Sequence, residues 1–423
     1  MSSENVETGE LEVLGEKIVI TTYNGGNPQN IYHLVDRFDI YESVQQNCIV
    51  ADFVVNDGIE LQNYLPIAGE EWISLQVRTP SRKTLTYKFF VHTVSQLKTS
   101  DDATLKVYSL NCVSEDYHKQ SCQKISKRYL DKDYQVAINE LLKTDFVLSK
   151  GLEVEPTKGK FDYIVNNVRP FQIADLLCDR AVSNKYKGTD YLFYEDNEQF
   201  RFVTYEYLIE QRKGKAESFK FVYDTANRSK EFDKVINVRN ILSYEVMSQG
   251  HSITKVMDGA QKLQVKEFDL LHGDYFKKNE YTNSSDYSQF KPTDNQNDLN
   301  SAAYSSAMEK YPGSYLMAVK DGLRPEMEHN NYIHFKRPWQ IKSMQFGMRL
   351  RVYADTELLV GDLIQCKFPE ISFLSEDRPE QEVYSGNYFV KDIRLSANKT
   401  ADNTWESFMI LDIRRPNLKK ALG

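Results

Sequence analysis

The feature that most constrains the fold is a hairpin pattern written twice, near opposite ends of a 423-residue chain. The first copy reads Lys88-Phe89-Phe90-Val91-His92-Thr93-Val94, a polar turn, then Thr104-Leu105-Lys106-Val107-Tyr108-Ser109-Leu110. The second reads Asn387-Tyr388-Phe389-Val390-Lys391-Asp392-Ile393, a polar turn over 396–403, then Trp405-Glu406-Ser407-Phe408-Met409-Ile410-Leu411. Aromatic and β-branched residues alternating along short runs specify strands with one face turned inward. The echo extends upstream: Gly69-Glu70 precedes one copy and Gly361-Asp362 the other, each where a loop enters a strand that a proline then closes (Pro80, Pro369). Glycine can adopt φ > 0 there, and a neighbouring carboxylate can accept backbone N–H groups. Gly69, Glu70, Gly361 and Asp362 are therefore expected to form structural repeat turns.

The material between the copies is different. Tyr117, Cys122, Ile125, Tyr129 and Leu130 recur at roughly helical spacing, and a second short helix is expected after Asp131-Lys132-Asp133. Val168-Arg169-Pro170-Phe171 opens a third, with Phe171, Ala174, Leu177, Cys178 and Ala181 on one face, and two strands around Asp196-Asn197-Glu198 follow. The fold class expected is α+β, mainly β: two similar antiparallel β-barrel or tube-like domains with intervening α+β domains. The boundaries expected are a flexible arm over 1–14, a first tube-like domain over 15–115 and an α+β domain over 116–215. A second tube-like domain combines 216–250 with 338–416, an insertion with a polar loop at 278–302 spans 251–337, and 417–423 is a tail.

Composition narrows the function classes. The formal net charge is −8 and the basic residues are scattered, which disfavours binding through counterion release from nucleic acid and attraction to anionic membranes. No run approaches a membrane span, and the polar, acidic start carries no secretory h-region. Cys48, Cys112, Cys122, Cys178 and Cys366 are widely spaced with no CxxC pair, as expected of reduced packing residues. His33, His92, His118, His251, His272, His329 and His334 show no metal-ligand spacing; His329 and His334, five apart, come nearest. No P-loop, GxGxxG or GxSxG occurs. No cofactor, metal or catalytic residue is expected. Glu70 and Asp362 as a hydrolytic pair are outweighed by their setting at strand-entry turns, where carboxylates serve as caps. The 27 Tyr and 22 Phe suit both strand interiors and protein interfaces.

Taken in order, these motifs resemble the baseplate hub protein of contractile-tailed, T-even-like phages, whose tube domains are related to those of the VgrG spike proteins of type VI secretion. The likeness is carried by Gly69-Glu70 with the first hairpin, by Leu359-Val360-Gly361-Asp362 with the second, and by 170–177 followed by 191–195 between them; it covers about 15–415. It implies a homotrimer in which two tube domains per chain give six similar units around one axis, so that a sixfold tail tube can meet a threefold spike. The partners implied are the chain itself, a tail tube protein, a central spike protein and baseplate wedge proteins, with DNA passing transiently and without specific binding. The place implied is the virion tail baseplate, assembled in the host cytoplasm. An acidic lumen that repels phosphate is expected on the charge balance. Two alternatives are a tail-associated cell-wall hydrolase and a carbohydrate- or receptor-binding β module using Trp72, Trp339 and Trp405.

Overall fold

A computed structural model describes residues 9–65, 67–81, 83–99, 105–186, 189–223, 239–248, 262–269, 274–282, 310, 315–320, 336, 346–369 and 383–415. The first stretch is almost wholly β: β1 (Glu12–Thr21), β2 (Gln29–Asn30), β3 (Val35–Ser43), β4 (Val50–Asp57), a one-turn helix α1 (Leu61–Tyr64), β5 (Trp72–Arg78), β6 (Thr84–Thr99) and β7 (Lys106–Ser114). Alternation forces this outcome. In β4, Ala51, Phe53 and Val55 are buried while Val50, Asp52 and Val54 face outward, the period of a half-buried strand. Part of the expected arm belongs to this sheet. Leu11 is buried, its N–H donates to the Trp405 carbonyl at 2.9 Å, and β1 begins at Glu12.

The middle of the chain supplies α2 (Glu115–Cys122), β8 (Ile125–Asp133), α3 (Tyr134–Asn139) running into a π-helical turn, β9 (Gly151–Val154), β10 (Thr157–Lys158) and β11 (Lys160–Val168). Then follow α4 (Pro170–Arg180), β12 (Val182–Ser183), β13 (Tyr191–Glu195), β14 (Gln199–Thr204), α5 (Tyr205–Ala216) and β15 (Lys220–Val222). The first expected helix stops at Cys122, and Ile125 onward is strand, paired antiparallel with β11. Residues 125, 129 and 130 fit either period; pairing with a distant strand decided between them. Helix α4 starts as expected, with Pro170 in its first turn and the Gln172 side chain accepting from the Arg169 N–H at 3.4 Å. Its Phe171, Ala174 and Leu177 enter a core distinct from that of the large sheet.

The remaining strands are β16 (Ile241–Ser248), β17 (Lys262–Asp269), β18 (Asp274–Thr282), β19 (Tyr315–Lys320), β20 (Phe346–Tyr353), β21 (Leu363–Lys367), β22 (Gly386–Lys399) and β23 (Trp405–Arg415). Strands β18, β17 and β19 form a small sheet inside the insertion. Residues 278–282, expected in a polar loop, are the end of β18; the rest of that loop, with His329, His334 and Trp339, lies outside the described residues.

One sheet of 13 strands runs through both ends of the chain in the order β16-β20-β23-β22-β3-β4-β7-β6-β5-β1-β2, with β21 and β15 branching from β22. The order β3-β4-β7-β6-β5 is repeated as β16-β20-β23-β22-β21, every neighbouring pair antiparallel. Two irregularities recur at matching places, while those between Ser95 and Lys98 in β6 and between Val246 and Ser248 in β16 have no counterpart in β22 and β3. The register shifts between Val35 and Arg37 in β3 and between Ile241 and Ser243 in β16, and again around His92 in β6 and Lys391 in β22. Bulges of this kind are conserved design features rather than noise, so their coincidence aligns the copies residue by residue. Phe89, Phe90, Val91 and His92 correspond to Tyr388, Phe389, Val390 and Lys391. The fold is thus mainly β with an α+β unit, and among the described strands the large sheet does not close into a barrel.

Candidate functional site: the junction sheet and its open edges

Each copy begins at a capped loop. Gly69 and Gly361 both have positive φ, 90° and 84°, which a side chain would strain. Asp362 is fully buried: its carboxylate accepts from the Leu359 N–H at 3.1 Å and faces Arg212 of α5 at 3.1 Å. Burial pushes this carboxyl up, opposed by the Arg212 charge. In the first copy the same task falls one residue later than the sequence suggests. Glu71 is buried and accepts from the N–H groups of Ala68, Gly69 and Glu70 at 2.8, 3.0 and 3.0 Å, while the Glu70 side chain is exposed. The backbone agrees: Val91 N–H donates to the Glu71 carbonyl, as Val390 N–H does to that of Asp362. Glu71→Ala is expected to cost about 2–4 kcal/mol in urea unfolding, since it orphans buried donors of a charge-assisted cluster. Glu70→Ala is expected to stay within about 0.5 kcal/mol.

Glu70 and Asp362 do not form a carboxylate pair. Strands β22, β3, β4, β7 and β6 lie between β21 and β5, so the two acids sit roughly 29 Å apart along the sheet at about 4.8 Å per strand. Glycosidase pairs need about 5–9.5 Å. Among the described residues no cluster of His, Cys, Asp and Glu could hold a metal ion, and no helix is long and apolar enough to cross a membrane. Trp405 is buried, with its ring 5.1 Å from Phe38 and 6.0 Å from Tyr32, and Trp72 stacks within a cluster of Tyr23, Phe90 and His118. Neither is presented as an open sugar platform.

A buried polar network joins the first β unit to the α+β unit. Glu42 on the core side of β3 accepts from Tyr87 Oη at 3.3 Å. Beside it, Glu195 accepts from the Ile49 N–H at 3.1 Å and from Lys150 at 2.6 Å, and Asp196 pairs with buried Arg201. Burial, reinforced by the Asp196 charge and opposed by Lys150, pushes the Glu42 carboxyl up to about 7.

The seam between the copies is the β22–β3 ladder, running from Asp392 opposite Ser43 to Asn398 opposite Arg37. β22 can serve it because its first half pairs β21 and only its second half meets β3. The equivalent second half of β6, beyond Phe90, pairs β7 on one side and no described strand on the other. Likewise β16, the counterpart of β3, has only β20 as a neighbour among the described strands. Among the described residues these two edges meet no further strand, and they are the counterparts of the two strands joined at the seam. Seam position Arg394 opposite Tyr41 corresponds to Ser95 and Met247, and Met247 is 42% exposed.

The face of the sheet opposite the core carries charge in pairs. Asp39 accepts from Arg37 at 2.8 Å and Arg394 at 3.1 Å, Lys391 meets Asp392 at 3.0 Å, Arg414 meets Asp412 at 2.7 Å, and Arg349 lies 3.8 Å from Glu245. A cleft of about 600 Å³ opens over the seam among these groups. The acidic excess of the whole chain is absent from this face, where arginine and acid alternate.

No protein-family model matches the chain, and no curated protein does. Solved structures do. A tail protein from Neisseria meningitidis MC58 aligns with a TM-score of 0.53 at 10% identity, over 94% of this chain and 96% of that one. The 43 kDa tail protein of prophage MuSo2 from Shewanella oneidensis aligns with a TM-score of 0.53 at 10% identity, over 95% and 98%. At such identity the shared property is the fold, and it extends over nearly the full length of all three chains. This chain has the fold of phage tail proteins.

Proposed function

We propose that the chain is a structural component of a phage tail baseplate, a trimeric central hub that joins a sixfold tail tube to a threefold spike around a DNA passage. On this reading 15–115, and 216–250 with 338–416, are two tube domains. The observation that carries it is the matched pair of open edges. A head-to-tail contact that repeats the seam, with the free half of β6 on one copy laid against β16 of the next, is heterologous and closes into a ring when its rotation allows. Three chains then give six near-equivalent units and leave neither of these two edges exposed to recruit stray strands. Tail tube and spike proteins are the partners proposed above and below the ring, with wedge proteins outside it, and the virion is its place. The test is the native mass of the full chain, alone and mixed with its tail neighbours. A species of roughly three times 49.2 kDa is expected; a chain that stays single in every mixture contradicts the hub.

A further inference from the structure

We propose that the open face of the sheet is a self-neutralised wall for a passing polyanion, and that Asp39 is the residue that holds its arginines away from phosphate. This rests on the hub reading, in which the ring needs a bore. The core and α5 occupy the other side of the sheet, and α2 reaches the open face only at the β5–β6 end, where His118 stacks on Phe90, so among the described residues the stretch from β16 to the second half of β6 is the face that can turn towards an axis. Four strands of each unit run edge to edge, and roughly 24 strands at about 4.8 Å spacing have a backbone diameter of about 37 Å even without tilt. That bore admits a nucleic acid duplex.

The chemistry of the wall is a belt crossing the strands. From the β6 edge, Ser95 donates to Asn111 at 2.7 Å, and Asn111 donates to Asp52 at 2.7 Å. Asp52 lies opposite Asp39, which takes both Arg37 and Arg394. Beyond the seam come Asp392 with Lys391, Asp412 with Arg414, and Glu245 with Arg349 at the β16 edge. Closing the ring by the seam rule brings Ser95 and Glu245 of neighbouring copies together, so the belt continues unbroken. Free arginines would bind phosphate and hold the cargo by counterion release, whereas a strongly acidic wall would oppose its entry. Arginines already engaged by carboxylates do neither, and Arg351 on the same face lies instead over the Phe408 ring at 4.0 Å. Asp39 is the keystone because it is 5% exposed and engages two guanidiniums, whose side chains remain 42% and 34% exposed.

The experiment measures fluorescence anisotropy of the full-length chain with labelled duplex DNA, linear or covalently closed circular, alongside the native mass of each sample. Wild type is expected to retain neither form. Asp39→Asn frees two arginines per copy, about six in a trimer, so linear DNA is expected to bind at least about tenfold more tightly at about 50 mM salt, with a log–log salt slope near −5. Closed circles cannot thread a ring and are expected to stay unbound. Asp39→Glu is expected to restore the wild-type result. Asp412→Asn, which removes the carboxylate that Arg414 meets at 2.7 Å without touching the seam, is expected to act in the same direction. Asp131→Asn, which removes the same charge from the α+β unit, is expected to change nothing. If Asp39→Asn and Asp412→Asn bind no better than wild type, or Asp131→Asn binds as well as they do, the wall is refuted whatever the mass. Capture of linear and circular DNA alike by a single-chain species would instead refute the hub and its bore while leaving the masking role of Asp39 standing.

Discussion

Asp362→Ala is expected to lower the unfolding free energy by about 3–5 kcal/mol, because it leaves Arg212 as an uncompensated charge in a dry site. Asp362 sits at the entry to β21, and Arg212 on the helix that packs against that strand, so the pair ties the second hairpin unit to the α+β unit. Arg212→Met added to Asp362→Ala is expected to recover most of the loss, since a buried pair replaced by packed apolar groups is often neutral. Urea unfolding of the two single variants and the double variant measures the coupling. A loss below about 1 kcal/mol for Asp362→Ala would place the residue outside the framework described above.

The second large effect concerns pH. Glu42 is buried at the contact between the first β unit and the α+β unit, with its carboxyl pushed up to about 7. A group whose folded pKa is raised keeps its proton in the native state while the unfolded chain has already lost it. Stability therefore falls as pH rises from the ordinary carboxylate range to about 7, and the full cost remains above that. For a shift of this size the cost is up to about 3 kcal/mol at pH 8. Glu42→Gln keeps an acceptor for Tyr87 and removes the titration. It is expected to be more stable than wild type at pH 8, with the advantage shrinking towards pH 5. Asp175, on the exposed side of α4, is pushed up to about 6 by partial desolvation and by Asp179, so both proteins share other pH-dependent contributions. The difference between variant and wild type isolates Glu42. Parallel midpoint-versus-pH curves for the two proteins would contradict it.

How much of this was written in the sequence depends on the range of the interaction. The run Phe89-Phe90-Val91-His92 aligned against Tyr388-Phe389-Val390-Lys391 has the register that the two bulges fix independently. Alternation within one strand is a local signal, so it was legible. The glycine–acid turns were legible in kind but not in number: a carboxylate within a residue or two of a left-handed glycine reads alike at Glu70 and Glu71, and only the N–H groups that converge on Glu71 separate them. The strand β8 was misread as helix because its partner β11 lies some thirty residues away and leaves no mark on Ile125–Asp133. The seam was invisible for the same reason, since Asp392 meets Ser43 across 349 residues. Net charge averages over all surfaces, so it carried no information about the open face, which places Asp39 and Asp412 beside arginines.

The most direct test of the central claim is a disulfide placed across the contact that would close the ring. In a Cys122→Ser background, which removes the exposed native thiol, Ser95→Cys and Met247→Cys put one thiol on each open edge. If the free half of β6 meets β16 of the next copy as β22 meets β3, mild oxidation gives a covalent species of three chains, and either single variant gives none. Trimers that assemble yet never cross-link, or single chains that cross-link internally, would show that the two edges do not meet.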